Sequence, residues 1–268
     1  IPPAYQIAKH IASLIWREHG ILTNLNEIRS LGSEEIRPEV AKLLPLYEEK
    51  MNEIQDKYLH YRTSLSPEFL YKDLMTYAEK RGQVIRNKDN IIINYIPNNP
   101  KLITLIVIDH LGLINFNNYA NLKEAMDKAS RTLVFFRNMF NFSPVVISQI
   151  NRGSESMDRR EKDNWMPMLS DIKNSGNMSE DANTVIGLAS PFYYGIDKCL
   201  GFDITKYKNR YRLTKICKNR DGEVNLLASF LFVGEIGGYY QLPKANDIIG
   251  KPPELKRIDN YYSSLKSK

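Results

Sequence analysis

The feature that most constrains this chain is an unbroken apolar and β-branched run, residues 102–108, which ends at an acid, Asp109. A strand with one face in water alternates apolar and polar residues, so a run without alternation predicts a strand covered on both faces. Such strands form parallel sheets flanked by helices. The Asp109 carboxylate is then expected at the carboxyl end of the strand, where open α/β sheets bind their ligands.

Two interpretations of Asp109 follow from that position. An acid directly after such a strand is the usual Walker B partner of the Mg²⁺ ion that accompanies a bound nucleotide. An Asp at the same point also caps a helix that begins there. The run alone leaves both interpretations open, and we take the metal role as the hypothesis.

Composition narrows the choice of partner and compartment. The 268 residues are 43% hydrophobic and 25% charged, which is typical of a globular protein of one or two domains. A net charge of +6 favours an anionic partner such as nucleic acid or nucleotide, although a neutral substrate is compatible with it. Cys199 and Cys217 show no disulfide or zinc-binding pattern. This cysteine pattern makes a reducing cytoplasm the expected compartment. No apolar segment approaches the length of a membrane span, about 18 to 20 residues, so we expect no membrane partner.

Hydrophobic periodicity predicts a helical segment over residues 1–82, before the apolar run. We expect a first helix over residues 2–20, a second over residues 34–56, a short strand over residues 58–63, and a third helix that ends near Gly82. The third helix has a clear start because Ser66 suits the N-cap and Pro67 the first helical position.

Strands and a helix alternate on both sides of the apolar run. Residues 91–96 predict a strand before it, and Asn121 with Glu124 forms a capping-box-like start for a helix after it. A further buried strand is expected over residues 145–150, after Pro144. Successive strand–helix–strand steps predict an α/β fold with a right-handed, mostly parallel sheet flanked by helices.

The last third of the chain predicts strands and a tail. Residues 184–189 and 211–217 are strand-like, and residues 224–233 and 239–242 predict a C-terminal antiparallel hairpin. The tail, residues 251–268, is basic and contains proline, so we expect it to lie outside one folded domain over residues 1–250.

Polar residues also lie at the end of the strand expected over residues 145–150. Gln149 and Arg152 would lie beside Asp109 if the two strands are neighbours, where they are placed to sense a γ-phosphate or an attacking water. A simpler interpretation is that both residues solvate the end of a strand. His110 either contacts the same site or packs locally, and the sequence alone leaves these alternatives open.

Four segments resemble, in the same order, the motifs of the DnaB-like replicative helicases, which are hexameric motors of RecA-like fold that move on single-stranded DNA. The segments are VIDHLGLI at 107–114, KASRTLVFFRNMF at 128–140, MPMLSDIKNSGNMSEDANTVIGL at 166–188 and KNRDGEV at 218–224. The resemblance implies a RecA-like P-loop NTPase-type fold, ATP and Mg²⁺ as cofactors, and a homo-hexameric ring.

The resemblance also implies a role for each matching residue at the nucleotide. Asp109 looks like the Walker B acid that holds Mg²⁺ through water, and Gln149 is similar to the sensor that couples phosphate state to the DNA-binding loops. Lys218 and Arg220 look like the pair that enters the neighbouring subunit's active site, with Arg220 as an arginine finger. The alternative for Lys218 and Arg220 is a solvated edge of a hairpin.

A second set of matching residues implies contacts to DNA. Lys173, Asn174 and Gly176 match the loop that grips the DNA backbone in this family. The chemistry agrees with that role, because a cation and backbone amides made accessible by a glycine are what phosphates require.

The largest departure from the family is the lack of any GxxxxGK[ST] motif, the loop that cradles nucleotide phosphates. The acid expected on the family's next strand, its general base, would also precede Ile1. We therefore expect a truncated motor domain that lacks the Walker A strand, rather than a degenerate motor. Such a chain is expected to expose an unpaired, apolar sheet interior and not to hydrolyse ATP by itself.

The leading hypothesis is ATP-dependent translocation on single-stranded DNA and duplex unwinding in DNA replication. The expected partners are single-stranded DNA, further copies of the chain, and a primase or a helicase loader. The expected location is the cytoplasm of a bacterial or phage-infected cell. The main alternative is a nonenzymatic DNA-binding ring or loader subunit of RecA-like fold. A RecA-type recombinase or a circadian-type RecA-fold ATPase is a third option.

Overall fold

The structure is a computed structural model that describes residues 3–29, 35–58, 65–151, 165–172 and 176–245, with no side-chain description for residues 55–58 and 176. The chain divides into two compact units. The first unit comprises Ile1–Tyr61, Leu188–Lys215 and Leu227–Lys268, and the second comprises Arg62–Gly187 and Ile216–Leu226.

The helices and strands follow one another along the described chain as follows: α1 (Pro3–His19), α2 (Leu25–Ile28), α3 (Pro38–Ala41), α4 (Leu44–Tyr58), α5 (Pro67–Arg81), β1 (Gly82–Arg86), β2 (Ile92–Pro97), β3 (Leu105–Ile108), α6 (Leu122–Phe140), β4 (Ser143–Val146), α7 (Gly176–Asp181), β5 (Thr184–Ala189), β6 (Lys198–Cys199), β7 (Phe202–Asp203), α8 (Ile204–Tyr207), β8 (Tyr211–Asn219), β9 (Leu227–Val233) and β10 (Gly238–Gln241). Short 3-10 helices lie at Leu111–Leu113, Leu169–Asp171, Pro191–Tyr194 and Lys208–Arg210.

The helices of the first unit differ from the sequence expectation in one place. The single helix expected over residues 34–56 is wrong, because α3 ends at Ala41 and α4 begins at Leu44. The break lies just before Pro45, whose missing N–H is tolerated only within the first turn of a helix. The strand expected over residues 58–63 begins at the last residue of α4, and residues 59–63 lie outside the described residues.

The first unit has a small helical core and an ion pair whose carboxylate is buried. Ile15, Val40 and Tyr47 are fully buried within the core that α1, α3 and α4 share. Glu27 is also buried, and its carboxylate accepts hydrogen bonds from Arg37 Nε at 2.8 Å and Thr23 Oγ1 at 2.7 Å. These contacts connect α2 to the chain that leads into α3.

The hairpin expected near the end of the chain is confirmed. In the four-stranded sheet the order is β10-β9-β8-β5, and β9 is antiparallel to both β8 and β10. The turn between β9 and β10 contains Gly237, whose φ of 61° lies in the left-handed region that glycine adopts without steric cost. The tail over residues 251–268 lies outside the described residues.

In the second unit the predicted helix starts are confirmed. Ser66 caps α5 by accepting a hydrogen bond from the Phe69 amide at 3.2 Å. Asn121 caps α6 in the same way through the Glu124 amide at 3.0 Å, and Glu124 Oε2 accepts from the Ala120 amide at 2.9 Å. This pair resembles a capping box, as the sequence predicts, but Glu124 bonds the amide one residue before the N-cap instead of the Asn121 amide.

One parallel strand pair, β3 and β4, lies on α5 and α6. Ile106 and Ile108 of β3 are buried in a core with aromatic side chains of α6, where the Phe136 and Phe140 rings stack with centroids 4.9 Å apart. The α/β class is thus confirmed, and the parallel pairing follows the strand–helix–strand step β3–α6–β4. The pairing is antiparallel between β1 and β2, between β6 and β7, and between β9 and each of its neighbours β8 and β10.

The expectation that β3 is covered on both faces is wrong for the described residues. Leu105 and Val107, which alternate with the buried Ile106 and Ile108, are 60% and 58% exposed. On the neighbouring strand segment, Val145 is 47% exposed. The reason is that α5 and α6 pack against one face of the pair only. The expectation of an exposed apolar sheet interior is therefore met.

Candidate functional site

The carboxyl ends of β3 and β4 bring the polar residues of two sequence motifs together. Ile108 is the register partner of Val146, and the Ile147 amide donates a hydrogen bond of 2.9 Å to the Ile108 carbonyl oxygen. Asp109 therefore follows β3 at the same edge at which Gln149 follows β4, and both residues are exposed. The strands β3 and β4 are thus neighbours, which is the condition on which the expected site depended.

His110 belongs to the same group. Its Nε2 atom lies 3.3 Å from Gln149 Nε2, and the Asp109–His110 peptide bond is cis. Of the two alternatives that the sequence left open for His110, contact with the site is the one found. An imidazole nitrogen in this contact can accept a hydrogen bond from the Gln149 amide, which fixes where that side chain points.

The strand end that carries Gln149 is bonded to the segment that precedes the proposed DNA loop. The Asn151 amide donates to the Asp171 carbonyl oxygen at 2.6 Å, and Ile150 forms an isolated antiparallel bridge with Ile172. Asp171 is buried, and its Oδ2 atom accepts a hydrogen bond from the Met168 amide at 2.8 Å. The chain before Lys173 is thus held against the chain after Gln149.

Lys218 and Arg220 form hydrogen bonds with the carboxyl end of α7. Lys218 Nζ donates to the carbonyl oxygens of Ser179 at 2.8 Å and Glu180 at 2.7 Å. Arg220 Nη2 donates to the same Glu180 oxygen at 2.7 Å. Cations at the carboxyl end of a helix stabilise it, because the unpaired carbonyls there carry partial negative charge.

Sequence reasoning missed two residues of α6 that also hold α7. Ser130 Oγ donates to Asp181 Oδ2 at 2.6 Å, and Arg137 Nη1 donates to the Asp181 carbonyl oxygen at 2.8 Å. Ser130 and Arg137 are seven residues apart, so they lie on one face of the helix beside its apolar stripe. That spacing was the signal available in the sequence.

The structure leaves part of the expected site undescribed. Lys173, Asn174 and Arg152 lie outside the described residues, and Gly176 is the first residue of α7. The DNA-binding roles of Lys173, Asn174 and Gly176 and the sensing role of Arg152 therefore stay predictions.

The residues present fit a magnesium ion only in part. Across the described ranges no cluster of three or more His, Cys, Asp or Glu side chains could hold a metal ion. Mg²⁺ at a nucleotide needs only one or two carboxylates, because phosphates and water complete its shell, and the exposed Asp109 can supply one. The sequence offers no comparable group that would bind the phosphates, because it contains no glycine-rich phosphate loop of the GxxxxGK[ST] type.

None of the helices in the described ranges combines the length and the apolar composition required to cross a bilayer.

Comparison with known proteins agrees with the motifs. Residues 70–239 match the family model of the DnaB-like helicase C terminal domain. The chain is 31% identical over 151 residues to the replicative DNA helicase DnaC of Bacillus subtilis, a match that covers 56% of this chain and 30% of that protein. It is 30% identical over 163 residues to a probable plasmid replicative DNA helicase of Chlamydia trachomatis, with coverage of 56% and 33%. The chain spans about a third of the length of these curated relatives.

Solved structures share the fold. One is a DnaB-like replicative helicase, described together with its interactions with primase, which aligns with a TM-score of 0.62 at 18% identity over 91% of this chain and 49% of that chain. Another is an ATPase domain, with a TM-score of 0.65 at 18% identity over 91% of this chain and 72% of that chain. These likenesses confirm the RecA-like fold class. The family model matches more than half of the residues of this chain, so the chain belongs to the DnaB-like helicase C-terminal domain family.

Proposed function

We propose that this chain supplies motor-domain residues to a homo-hexameric, ATP-dependent helicase that unwinds duplex DNA during replication. The observation that carries the proposal is the parallel pairing of β3 with β4, which sets Asp109 and Gln149 at one sheet edge inside the family match. An exposed acid and an exposed amide at that edge suit the recognition of a metal-bound phosphate group.

On the nucleotide side, Asp109 would hold Mg²⁺ through water, and the ion would neutralise charge on the phosphates. Gln149 would respond to the phosphate state, with His110 fixing its amide at 3.3 Å. The bonds from Ile150 and Asn151 to residues 171–172 support a role for Gln149 in coupling, because they connect it to the chain before Lys173.

On the DNA side, Lys173, Asn174 and Gly176 would bind phosphates of a single strand. Binding that rests on phosphate contacts weakens steeply with salt and shows little sequence preference. The net charge of +6 supports an anionic partner of this kind.

Lys218 and Arg220 would act across the subunit boundary of the ring. The planar, always charged guanidinium of Arg220 suits stabilisation of charge on a transferring phosphoryl group. Both side chains donate to α7 carbonyls here, so reaching a neighbouring nucleotide requires them to exchange those partners.

Partners and location follow from the same proposal. A primase or a helicase loader would bind the ring, and the complex would work in the cytoplasm of a bacterial or phage-infected cell. One relative of known structure is described with its primase interactions, which supports a partner of this type.

The second candidate function is a nonenzymatic DNA-binding ring or loader subunit. The observation that favours it is the lack of a phosphate-binding loop motif among the 268 residues. Such a subunit would keep the DNA and interface contacts without hydrolysing ATP.

Strand displacement separates the two functions. The product of the complete reading frame that encodes this chain is mixed with a labelled forked duplex, with either ATP or a nonhydrolysable analogue. The helicase function predicts displacement with ATP and none with the analogue. Binding of the fork with no displacement under either condition would contradict it and favour the nonenzymatic function.

A further inference from the structure

Helix α7 has only six residues, Gly176–Asp181, which is too short to be stable by itself in water. The last four carbonyls of any helix lack partners within the helix. In α7 all four are occupied: Met178 by the Ala182 amide at 3.1 Å, Ser179 and Glu180 by Lys218, and Asp181 by Arg137. The helix is therefore held in place by side chains from outside it.

The groups that hold α7 come from two different elements. Arg137 and Ser130 lie on α6, whereas Lys218 lies at the end of β8 and Arg220 directly follows that strand. The Arg220 amide also donates to the Asn183 carbonyl oxygen at 3.0 Å, just beyond α7. One side of the helix end is thus fixed to α6, and the other is fixed by the cations of the KNR motif.

Lys218 and Arg220 lie where an anion in solution can compete with the carbonyls of α7. Arg220 is exposed and Lys218 is partly exposed, so phosphate oxygens in solution can reach both. A phosphate oxygen carries more negative charge than a helix carbonyl and forms the stronger charge-assisted hydrogen bond. The two cations would leave the carbonyls of Ser179, which is half-buried, and Glu180, which is exposed, so water can solvate the Glu180 carbonyl.

We propose that Lys218 and Arg220 are positioning residues that clamp the carboxyl end of α7, and that a polyphosphate opens this clamp by drawing the two cations away. The proposal deepens the proposed function and rests on it for the physiological anion, a nucleotide bound in the neighbouring subunit. Opening would loosen α7, whose first residue, Gly176, belongs to the proposed DNA-binding set. Nucleotide binding in one subunit would thereby change the DNA contacts of the next.

Hydrogen exchange of the peptide that covers residues 176–183 tests the clamp, with sodium tripolyphosphate as the probe and sodium chloride at equal ionic strength as the reference. In the unmodified chain, tripolyphosphate is expected to speed exchange in this peptide about tenfold, because three charge-assisted hydrogen bonds are lost. The double variant Lys218→Ala/Arg220→Ala is expected to exchange about tenfold faster without the probe and to show no further response to it.

Two further variants separate a clamp from a general loss of stability. Lys123→Ala removes the same charge from an exposed position on α6 and is expected to leave both the exchange rate and the response unchanged. Arg137→Ala loosens α7 from its other side, so faster exchange with a retained response to tripolyphosphate is expected. The variants Lys218→Arg and Arg220→Lys keep the donors and are expected to preserve the response.

Unchanged exchange of the unmodified chain in tripolyphosphate would overturn the proposal. A response that persists in the double variant would overturn it too, because the anion would then act elsewhere. The measurement needs neither ATP hydrolysis nor DNA, so it can fail while strand displacement succeeds, or succeed while displacement fails.

Discussion

The backbone amide of Asn151 donates a hydrogen bond of 2.6 Å to the carbonyl oxygen of Asp171. This bond and the bridge between Ile150 and Ile172 join the strand end that carries Gln149 to the residues directly before Lys173. A shift of the Gln149 backbone is thus passed to the chain that carries the proposed DNA contacts. The connection gives the proposed coupling a short covalent and hydrogen-bonded route.

The first prediction concerns that coupling. In the complete protein, Gln149→Ala should leave basal ATP hydrolysis within about threefold and reduce its stimulation by single-stranded DNA at least about tenfold. Steady-state hydrolysis with and without a poly-dT strand measures both. Gln241→Ala, at an exposed position of β10, is the control. Full stimulation in Gln149→Ala would rule out Gln149 as the coupling residue.

The second prediction concerns the DNA loop. Lys173→Ala should weaken binding of single-stranded DNA and lower the slope of log affinity against log salt by about one, because about one phosphate contact is lost. Nucleotide affinity should stay the same. Fluorescence anisotropy over a salt series measures the slope, with Lys244→Ala as a control of equal charge change. A loss of nucleotide affinity with unchanged DNA binding would reverse the assignment.

The third prediction tests the uncovered face of β3. In this chain Ile106→Ala should lower the free energy of unfolding by about 2 to 4 kcal/mol, because it leaves a cavity in the core. Val107→Ala, one residue away on the exposed face, should cost less than about 1 kcal/mol. Urea denaturation of both variants measures the difference. Equal costs would mean that the outer face is covered in solution.

The fourth prediction is a pH dependence of the first unit. Burial acts to raise the pKa of the Glu27 carboxyl, but hydrogen bonds from Arg37 and Thr23 outweigh burial and hold that pKa below its ordinary value of 4.5. A carboxyl with a lowered pKa stabilises the fold in its ionised form. This stability is present above pH 4.5 and is lost as the pH falls through the lowered pKa.

The Glu27→Gln variant checks this pH dependence. It should be less stable than the unmodified chain by about 1 to 3 kcal/mol at neutral pH, because Arg37 and Thr23 lose a charged acceptor. The difference should shrink over the pH range from 4.5 down through the lowered pKa of Glu27. Urea denaturation across this range measures it, and Glu48→Gln, at an exposed position of α4, is the control. A difference that does not change with pH would contradict the assigned role of the Glu27 charge.

Local signals in the sequence predicted much of the fold. Ser66 and the pair Asn121 and Glu124 act within one helical turn, so their effect on helix starts can be predicted without the rest of the structure. The neighbouring position of β3 and β4 also followed from the sequence, because consecutive parallel strands joined by one helix usually pair.

The errors have a different origin. The apolar run around Val107 indicates burial on both faces of the strand. Burial depends on which other elements cover the strand, and the run itself does not show which elements those are. The contacts of Lys218 and Arg137 with α7 join residues that are far apart in the chain. Charge alone marks such side chains as solvated or as ligand-binding, and only the fold shows that they cap a helix.

The measurement that tests the account most directly is ATP hydrolysis by the product of the complete reading frame, with and without single-stranded DNA, for the unmodified protein and Asp109→Asn. The account predicts hydrolysis that DNA stimulates, a loss of about 100-fold or more in Asp109→Asn, and no hydrolysis by the 268-residue chain alone. A complete protein that binds DNA without hydrolysing ATP would contradict the account. Equal hydrolysis by Asp109→Asn would contradict the metal role of Asp109.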